Sequence, residues 1–228
     1  MALSTSTVPA ATLPPTDTWV KATWEDFIAT LDTPPYNEGQ GYFDHGYMRI
    51  EMAPLGGGHA RQNTLITQIV SLFGVLRNLR MAGFTNGSFY KAGERGCQPD
   101  AAFYIGPDFR LPPQDNAPID VNVFGPPTLA IEIGGSSFKD DLGTKRLLYE
   151  RLGVGEYWVV NVAEHQVLAF AVAEGGSRQI QVSGVLPGLE IALVEAALVR
   201  SQTEDDTALL RWLTESLGSG SQPEARDS

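Results

Sequence analysis

Apolar residues along this chain repeat at two different periods, and the switches between those periods mark out its elements. Thr23 is placed to cap a short helix running to about Leu31, with Glu25 and Asp26 in the first turn, where negative charge suits the helix dipole. Tyr36 to Gly41 reads as a turn, and Tyr47-Met-Arg-Ile-Glu-Met-Ala as a strand ended by Gly56-Gly-Gly. The clearest helix spans about 59–81, where Leu65, Ile69, Leu72, Phe73, Leu76 and Leu79 recur at helical spacing. Asp100-Ala-Ala-Phe-Tyr-Ile is a strand stopped by Gly106-Pro107, and a Pro-rich loop covers 111–127. Thr128-Leu-Ala-Ile-Glu-Ile is almost wholly apolar, as a central strand buried on both faces should be.

A helix then follows over about 139–152, closed by Gly153. Glu156-Tyr-Trp-Val-Val-Asn-Val and Gln166-Val-Leu-Ala-Phe-Ala-Val form a hairpin, with a further short strand at Gln179-Ile-Gln-Val. An amphipathic helix over 203–217 closes the fold. Strands and helices that alternate before a hairpin predict an α/β domain, with helices packed on a mixed sheet. The best-defined unit is the strand–helix–strand segment 128–162.

Composition changes this picture mainly at the ends. Residues 1–18 are rich in Ser, Thr, Ala and Pro and read as a disordered arm, and 218–228 read as a disordered tail, leaving a single domain over 19–217. The start of the chain has neither a basic nor an apolar signal region, and no apolar run reaches the length of a membrane span. One cysteine, Cys97, excludes an internal disulfide framework and a Cys-based zinc site, which fits a soluble, cytoplasmic protein. The net charge of −11, from 16 Lys and Arg against 27 Asp and Glu, counts against tight non-specific binding to DNA. Local basic clusters remain at Arg77, Arg80, Lys91 and Arg95, and at Lys139, Lys145, Arg146 and Arg151.

Glu132 is the chemical anomaly. A carboxylate inside Leu-Ala-Ile-Glu-Ile needs a cation, a hydrogen-bond network or a metal to offset its burial. Asp100 opens another apolar strand directly after Pro99, and two carboxylates from neighbouring strands are the oxygen donors that Mg²⁺ or Mn²⁺ takes. Asp141 and Lys145 share a helical face at i and i+4, from which Lys145 can reach Glu132. Taken singly, each residue has a plainer reading: Glu132 in an ion pair with Lys145 or Arg146, Asp100 as a strand-start residue, Lys145 as a solvated helix face. Their order in the chain is what points to metal-assisted phosphodiester hydrolysis.

The stretches Gln98-Pro-Asp-Ala-Ala-Phe, Leu129-Ala-Ile-Glu-Ile-Gly-Gly-Ser-Ser and Asp141-Leu-Gly-Thr-Lys-Arg-Leu-Leu-Tyr-Glu-Arg-Leu-Gly-Val-Gly-Glu-Tyr-Trp-Val-Val carry a resemblance. Together they resemble the Uma-type family of restriction-endonuclease-like proteins, within the PD-(D/E)XK nuclease superfamily, over about 42–171. The resemblance implies a restriction-endonuclease-like fold and a divalent-metal-dependent endonuclease acting on nucleic acid, DNA above all. It further implies Mg²⁺ (or Mn²⁺) bound by Asp100 and Glu132, with Lys145 as the lysine. The chain departs from the superfamily at Gly134, which stands where the E-x-K lysine would be; the resemblance implies that in this family the following helix supplies the lysine, here Lys145. For the N-terminal acid of such sites, Asp44 and Glu51 are the two candidates.

Other residues carry weaker readings. His59 opens the long helix, either to meet phosphate or water or simply to pack there. His45 and His165 read as solvated turn residues, Ser136-Ser137 as a turn and helix cap, Tyr157-Trp158 as core, and Cys97 as inert. Gly56-Gly-Gly-His lacks the Lys-Ser/Thr of a phosphate-binding loop. Two rivals stand beside the endonuclease. One is a catalytically degenerate member of the fold that binds nucleic acid or protein. The other is a homodimeric scaffold in which the acids and Lys145 form a buried ionic network. A homodimer is also expected by analogy with enzymes that cut two strands.

Overall fold

In the computed structural model, Val20–Lys21 (β1) and the helix Trp24–Leu31 (α1) lead into the hairpin Gln40–Asp44 (β2) and Tyr47–Glu51 (β3). The long helix Gly57–Leu76 (α2) is followed by Met81–Thr85 (β4), Phe89–Lys91 (β5), Arg95–Cys97 (β6) and Ala101–Ile105 (β7). Next come Ile119–Asp120 (β8), the short helix Val121–Phe124 (α3), Leu129–Gly134 (β9), and the helices Phe138–Asp141 (α4) and Thr144–Leu152 (α5). Glu156–Asn161 (β10), Gln166–Ala173 (β11) and Gly176–Ile180 (β12) precede the helices Ile191–Arg200 (α6) and Asp206–Gly218 (α7). The structure describes residues 14–52, 56–135 and 137–218. Most of the expected N-terminal arm, nearly all of the expected tail, and Ser136 therefore lie outside the described residues.

The strands form two six-stranded sheets rather than one. The first has the order β12-β11-β10-β9-β7-β4, and the second β1-β3-β2-β6-β5-β8. In the first sheet β9 and β10 are parallel, as the α4–α5 crossover between them requires, and the other pairings are antiparallel. The expected mixed sheet flanked by helices is this one. The second sheet was hidden in the sequence because β5 and β6 are three residues each and β1 and β8 two.

Strand alternation divides the interior. Leu129, Ile131 and Ile133 of β9, with Trp158 and Val160 of β10, face a core built on Leu65, Ile66, Ile69, Val70 and Phe73 of α2 and on α6 and α7. Ala130, Tyr157 and Val159 face the opposite way, toward Leu148 and Tyr149 of α5 and Tyr42 of β2. Glu132 falls on this second side. In β3 the same rule sends Met48 and Ile50 into a small aromatic core with Phe27 and Phe43, which turns Arg49 and Glu51 the other way.

The long helix stops at Leu76, five residues short of expectation, because Asn78 takes a left-handed conformation and Met81 begins β4. Gly74 permits that return: a Cβ there would lie 2.1 Å from Met81 Sδ. The helix expected over 139–152 is two pieces, broken at Leu142-Gly143. Residues 14–18, expected within the disordered arm, lie against the body. Tyr36 donates to Pro14 O, Asp17 N–H to Ile50 O, and Arg49 to Asp17 O. No helix among the described residues is long and apolar enough to cross a membrane.

Candidate functional site

The C-terminal half of β9, the start of β7, the end of β3 and the N-terminus of α2 meet around a cavity of about 400 Å³. Its lining includes Glu51, His59, Asp100 and Glu132, together with Gln40 and Arg49. Asp100 and Glu132, 32 residues apart, are each 2% exposed. They converge because β7 and β9 are paired, Ala101 opposite Ile131.

Asp100 is fixed at both oxygens. The backbone N–H of Ile133 donates to Oδ2 at 2.7 Å, Gln40 Nε2 donates to Oδ1 at 3.2 Å, and His59 Nε2 lies 3.3 Å from Oδ1. His59 thus stands beside the carboxylate rather than apart from it, and its Nδ1 is buried without a hydrogen-bond partner among the described residues.

Glu132 meets two tyrosine hydroxyls. Tyr149 donates to Oε1 at 2.7 Å, and Tyr42 Oη lies 3.3 Å from Oε2, its single proton shared with Gln98 O at 3.1 Å. Burial pushes its carboxyl well above the ordinary range; nearby Lys145 opposes that shift, while Asp100, Asp141 and Glu51 reinforce it. Acids outnumber the cation that serves them.

That cation is Lys145, 1% exposed, which the structure brings to Glu132 and Asp141 although the break at Leu142-Gly143 puts Asp141 and Lys145 on separate helices rather than on one helical face. Its Nζ lies 2.9 Å from Glu51 Oε2, 2.9 Å from Asp141 Oδ1 and 3.7 Å from Glu132 Oε2, above the ring of Tyr42 at 4.0 Å. Burial works against its charge, yet Glu132, Asp141 and Glu51 together raise its pKa above the usual lysine value. Lys145 is not a solvated helix face. It sits behind the acids, outside the cavity lining.

Of the two candidates for an additional acid, Glu51 reaches this cluster and Asp44 does not. Asp44 is paired with Arg95 (3.2 Å) and Arg151 elsewhere in the molecule. Those two arginines come from separate basic clusters of the sequence and meet on one carboxylate. Arg146 pairs with Glu150, not Glu132. Among the described residues, no group of three or more His, Cys, Asp or Glu is placed to hold a metal ion unaided.

Sequence reasoning missed Arg49, Gln40, Tyr42 and Tyr149 as members of the site. Arg49 Nε pairs with Glu51 Oε1 at 2.7 Å, and Asp140 Oδ2 lies 3.5 Å away. A signal for Arg49 was present: charged residues at 49 and 51 alternate with apolar ones at 48 and 50. Gln40 and the two tyrosines carry no comparable mark.

A search of the curated proteins finds no relative. Among solved structures, one described as a putative nuclease belonging to DUF820 from Anabaena variabilis ATCC 29413 is similar in fold, with a TM-score of 0.54 and 17% identity. The similarity covers 77% of this chain and 98% of that one. The model of the Uma2 family, described as "Putative restriction endonuclease", matches residues 24–204, and the chain belongs to that family.

Proposed function

We propose that this protein is a divalent-metal-dependent endonuclease that hydrolyses phosphodiester bonds of nucleic acid, DNA first among them. The observation that carries the reading is the meeting of Asp100, Glu132 and Glu51 at one cavity, with a single buried lysine behind them. The family's description as a restriction endonuclease and the solved relative's as a nuclease support the nuclease part of this reading.

The donor set suits Mg²⁺ or Mn²⁺. Mg²⁺ keeps several of its waters and is commonly held by one or two carboxylates with substrate phosphate, not by a closed protein cage. Two carboxylates and a surplus of negative charge meet that description. Asp100 and Glu132 would hold the ion, with Glu51 beside them. When bound, the ion lowers the pKa of a water and stabilises charge at the phosphate.

The chain's own residues prepare that site. Ile133 N–H and Gln40 fix the Asp100 carboxylate, the Tyr149 hydroxyl holds Glu132 with Tyr42 beside it, and Lys145 lies between Glu51 and Glu132. A homodimer would supply a second copy of the site for the second strand.

The test is nicking of plasmid and single-stranded DNA with Mg²⁺ or Mn²⁺, comparing wild type with Asp100→Asn and Glu132→Gln. Metal-dependent cleavage abolished by either substitution is the expected result. One observation favours a second reading, a non-catalytic binding or scaffold protein: Lys145 is enclosed by three carboxylates, as in a purely structural ionic network. Absence of cleavage in every substrate class would favour that reading. Cleavage indifferent to both substitutions would place the chemistry elsewhere.

A further inference from the structure

We infer that Arg49 is the side chain that receives the substrate's phosphate, and that Lys145 is a positioning residue acting through Glu51 and Glu132. The inference rests on the nuclease reading of the same cavity and assigns its phosphate contact.

The cavity wall is acidic: Asp17, Glu38, Glu51, Asp100 and Glu132 all line it. A phosphodiester entering such a space needs a cationic donor that faces it. Arg49 is the one lysine or arginine in the lining among the described residues. Lys145 is 1% exposed, and an ammonium group has three N–H donors. Its Nζ donates to Glu51 Oε2, has the Asp141 and Glu132 carboxylates within 4 Å and the Tyr42 ring alongside, and lies outside the cavity lining, so it does not face an incoming oxygen.

Arg49 differs on each count. It has five N–H donors, of which Nε is engaged by Glu51 and one on Nη1 by Asp17 O. Nη2 has no hydrogen bond to a described residue. Arg49 is 8% exposed and lines the cavity, its guanidinium is anchored through Nε and Nη1, and its planar fork suits two oxygens of one phosphate. Strand alternation aims it at the cavity, two residues from Glu51 on the same face of β3. The same arginine also bridges residues 14–18 to the acid cluster, which holds its head group in place.

The experiment uses the full chain and two readouts. Fluorescein-labelled single-stranded and duplex oligonucleotides are titrated in Ca²⁺ by anisotropy and cleaved in Mg²⁺ or Mn²⁺. Mn²⁺ affinity is measured separately by calorimetry without nucleic acid. Arg49→Gln should weaken oligonucleotide binding and raise KM by about tenfold or more, the scale of one lost charge-assisted bond, with Mn²⁺ affinity not lowered, because losing the cation beside Glu51 does not disfavour a bound metal ion. Lys145→Met should instead weaken Mn²⁺ binding. Arg49→Lys keeps a charge and a partner for Glu51, so it decides the matter if the glutamine variant does not fold; its KM should also rise.

Unchanged oligonucleotide affinity and KM in a folded Arg49 variant would overturn the inference while leaving the nuclease reading intact. Wild-type protein that neither binds nor cuts any oligonucleotide would overturn both.

Discussion

Gly134 and Asp141 touch across the turn that follows β9: a Cβ on Gly134 would lie 2.9 Å from Asp141 Oδ2, with Phe138 Cα 3.2 Å away. The position where the sequence resemblance would set an E-x-K lysine is thus closed by α4, the short helix that precedes the Lys145-bearing α5. Asp141 cannot simply move, because Ser137 donates to its Oδ2 and Lys145 pairs with its Oδ1. Gly134→Ala should cost about 1–3 kcal/mol through overpacking. Gly134→Lys should cost more and should not restore metal-dependent cleavage to a Lys145→Met variant. Denaturant unfolding and the plasmid assay check the two halves; recovery of cleavage in the double variant would show that the two lysine positions are interchangeable.

Tyr149 and Lys145 lie four residues apart on α5, so both reach Glu132 from one helical face. Tyr149→Phe removes the donor of the 2.7 Å bond but keeps the ring that stacks on Tyr157 at 4.6 Å. The carboxylate it leaves behind is buried and loses a partner, at a cost of about 1–3 kcal/mol. Calorimetry should show weaker Mn²⁺ binding as well, since Glu132 is then less firmly placed. A variant destabilised to this extent but with wild-type Mn²⁺ affinity would mean that the hydroxyl supports the fold and not the site.

Asp44 and Glu51 looked equivalent in the sequence, and the structure separates them. Asp44 is 7% exposed and balances buried Arg95, so Asp44→Ala leaves that guanidinium with the more exposed Glu94 as its remaining carboxylate partner. That should cost about 1–3 kcal/mol. In the fraction that remains folded, Mn²⁺ affinity should stay near wild type. Glu51→Gln should do the reverse, leaving stability little changed and lowering metal-dependent cleavage. Equal effects of both substitutions on Mn²⁺ binding would contradict this division.

How far the sequence could be read depended on how much each element relied on its own periodicity. β9, α2 and the β10–β11 hairpin are long and strongly patterned, and their existence followed from hydrophobic spacing alone. Asp100, Glu132 and Lys145 stood out because each breaks or punctuates such a pattern. The second sheet did not, since its short strands are stabilised by partners distant in the chain: β2 pairs with β6 some 50 residues on, and β5 with β8 about 30 residues on. For the same reason the tyrosines at Glu132 were illegible, because a buried tyrosine looks like core until its hydroxyl partner is known. Arg49 needed both facts at once, the strand's alternation and the sheet that turns that face toward the cavity.

Cys97 offers a pH test of the interior between the two sheets. Its thiol is fully buried, and burial raises its pKa above the ordinary range, with Glu132 adding to the shift. An acid whose folded pKa is raised contributes stability below its unfolded pKa, and this is lost as pH climbs toward the folded value. The unfolded thiol ionises near pH 8.5, so from about that pH the unfolded state releases a proton that the native state retains. Stability should then fall by about 1.4 kcal/mol per pH unit from this group alone. Tyr90, pushed up to about 12 mainly by burial, adds to the decline once pH exceeds about 10. Urea unfolding at pH 8, 9 and 10 checks the slope, compared with Cys97→Ala, whose absolute stability is lower but whose decline between pH 9 and 10 should be shallower by that amount. Native protein should also resist thiol alkylation at pH 8 until it unfolds. Rapid alkylation of the folded chain, or parallel pH slopes for the two proteins, would mean that water reaches Cys97 and that the two sheets are not closed over Glu132 from this side.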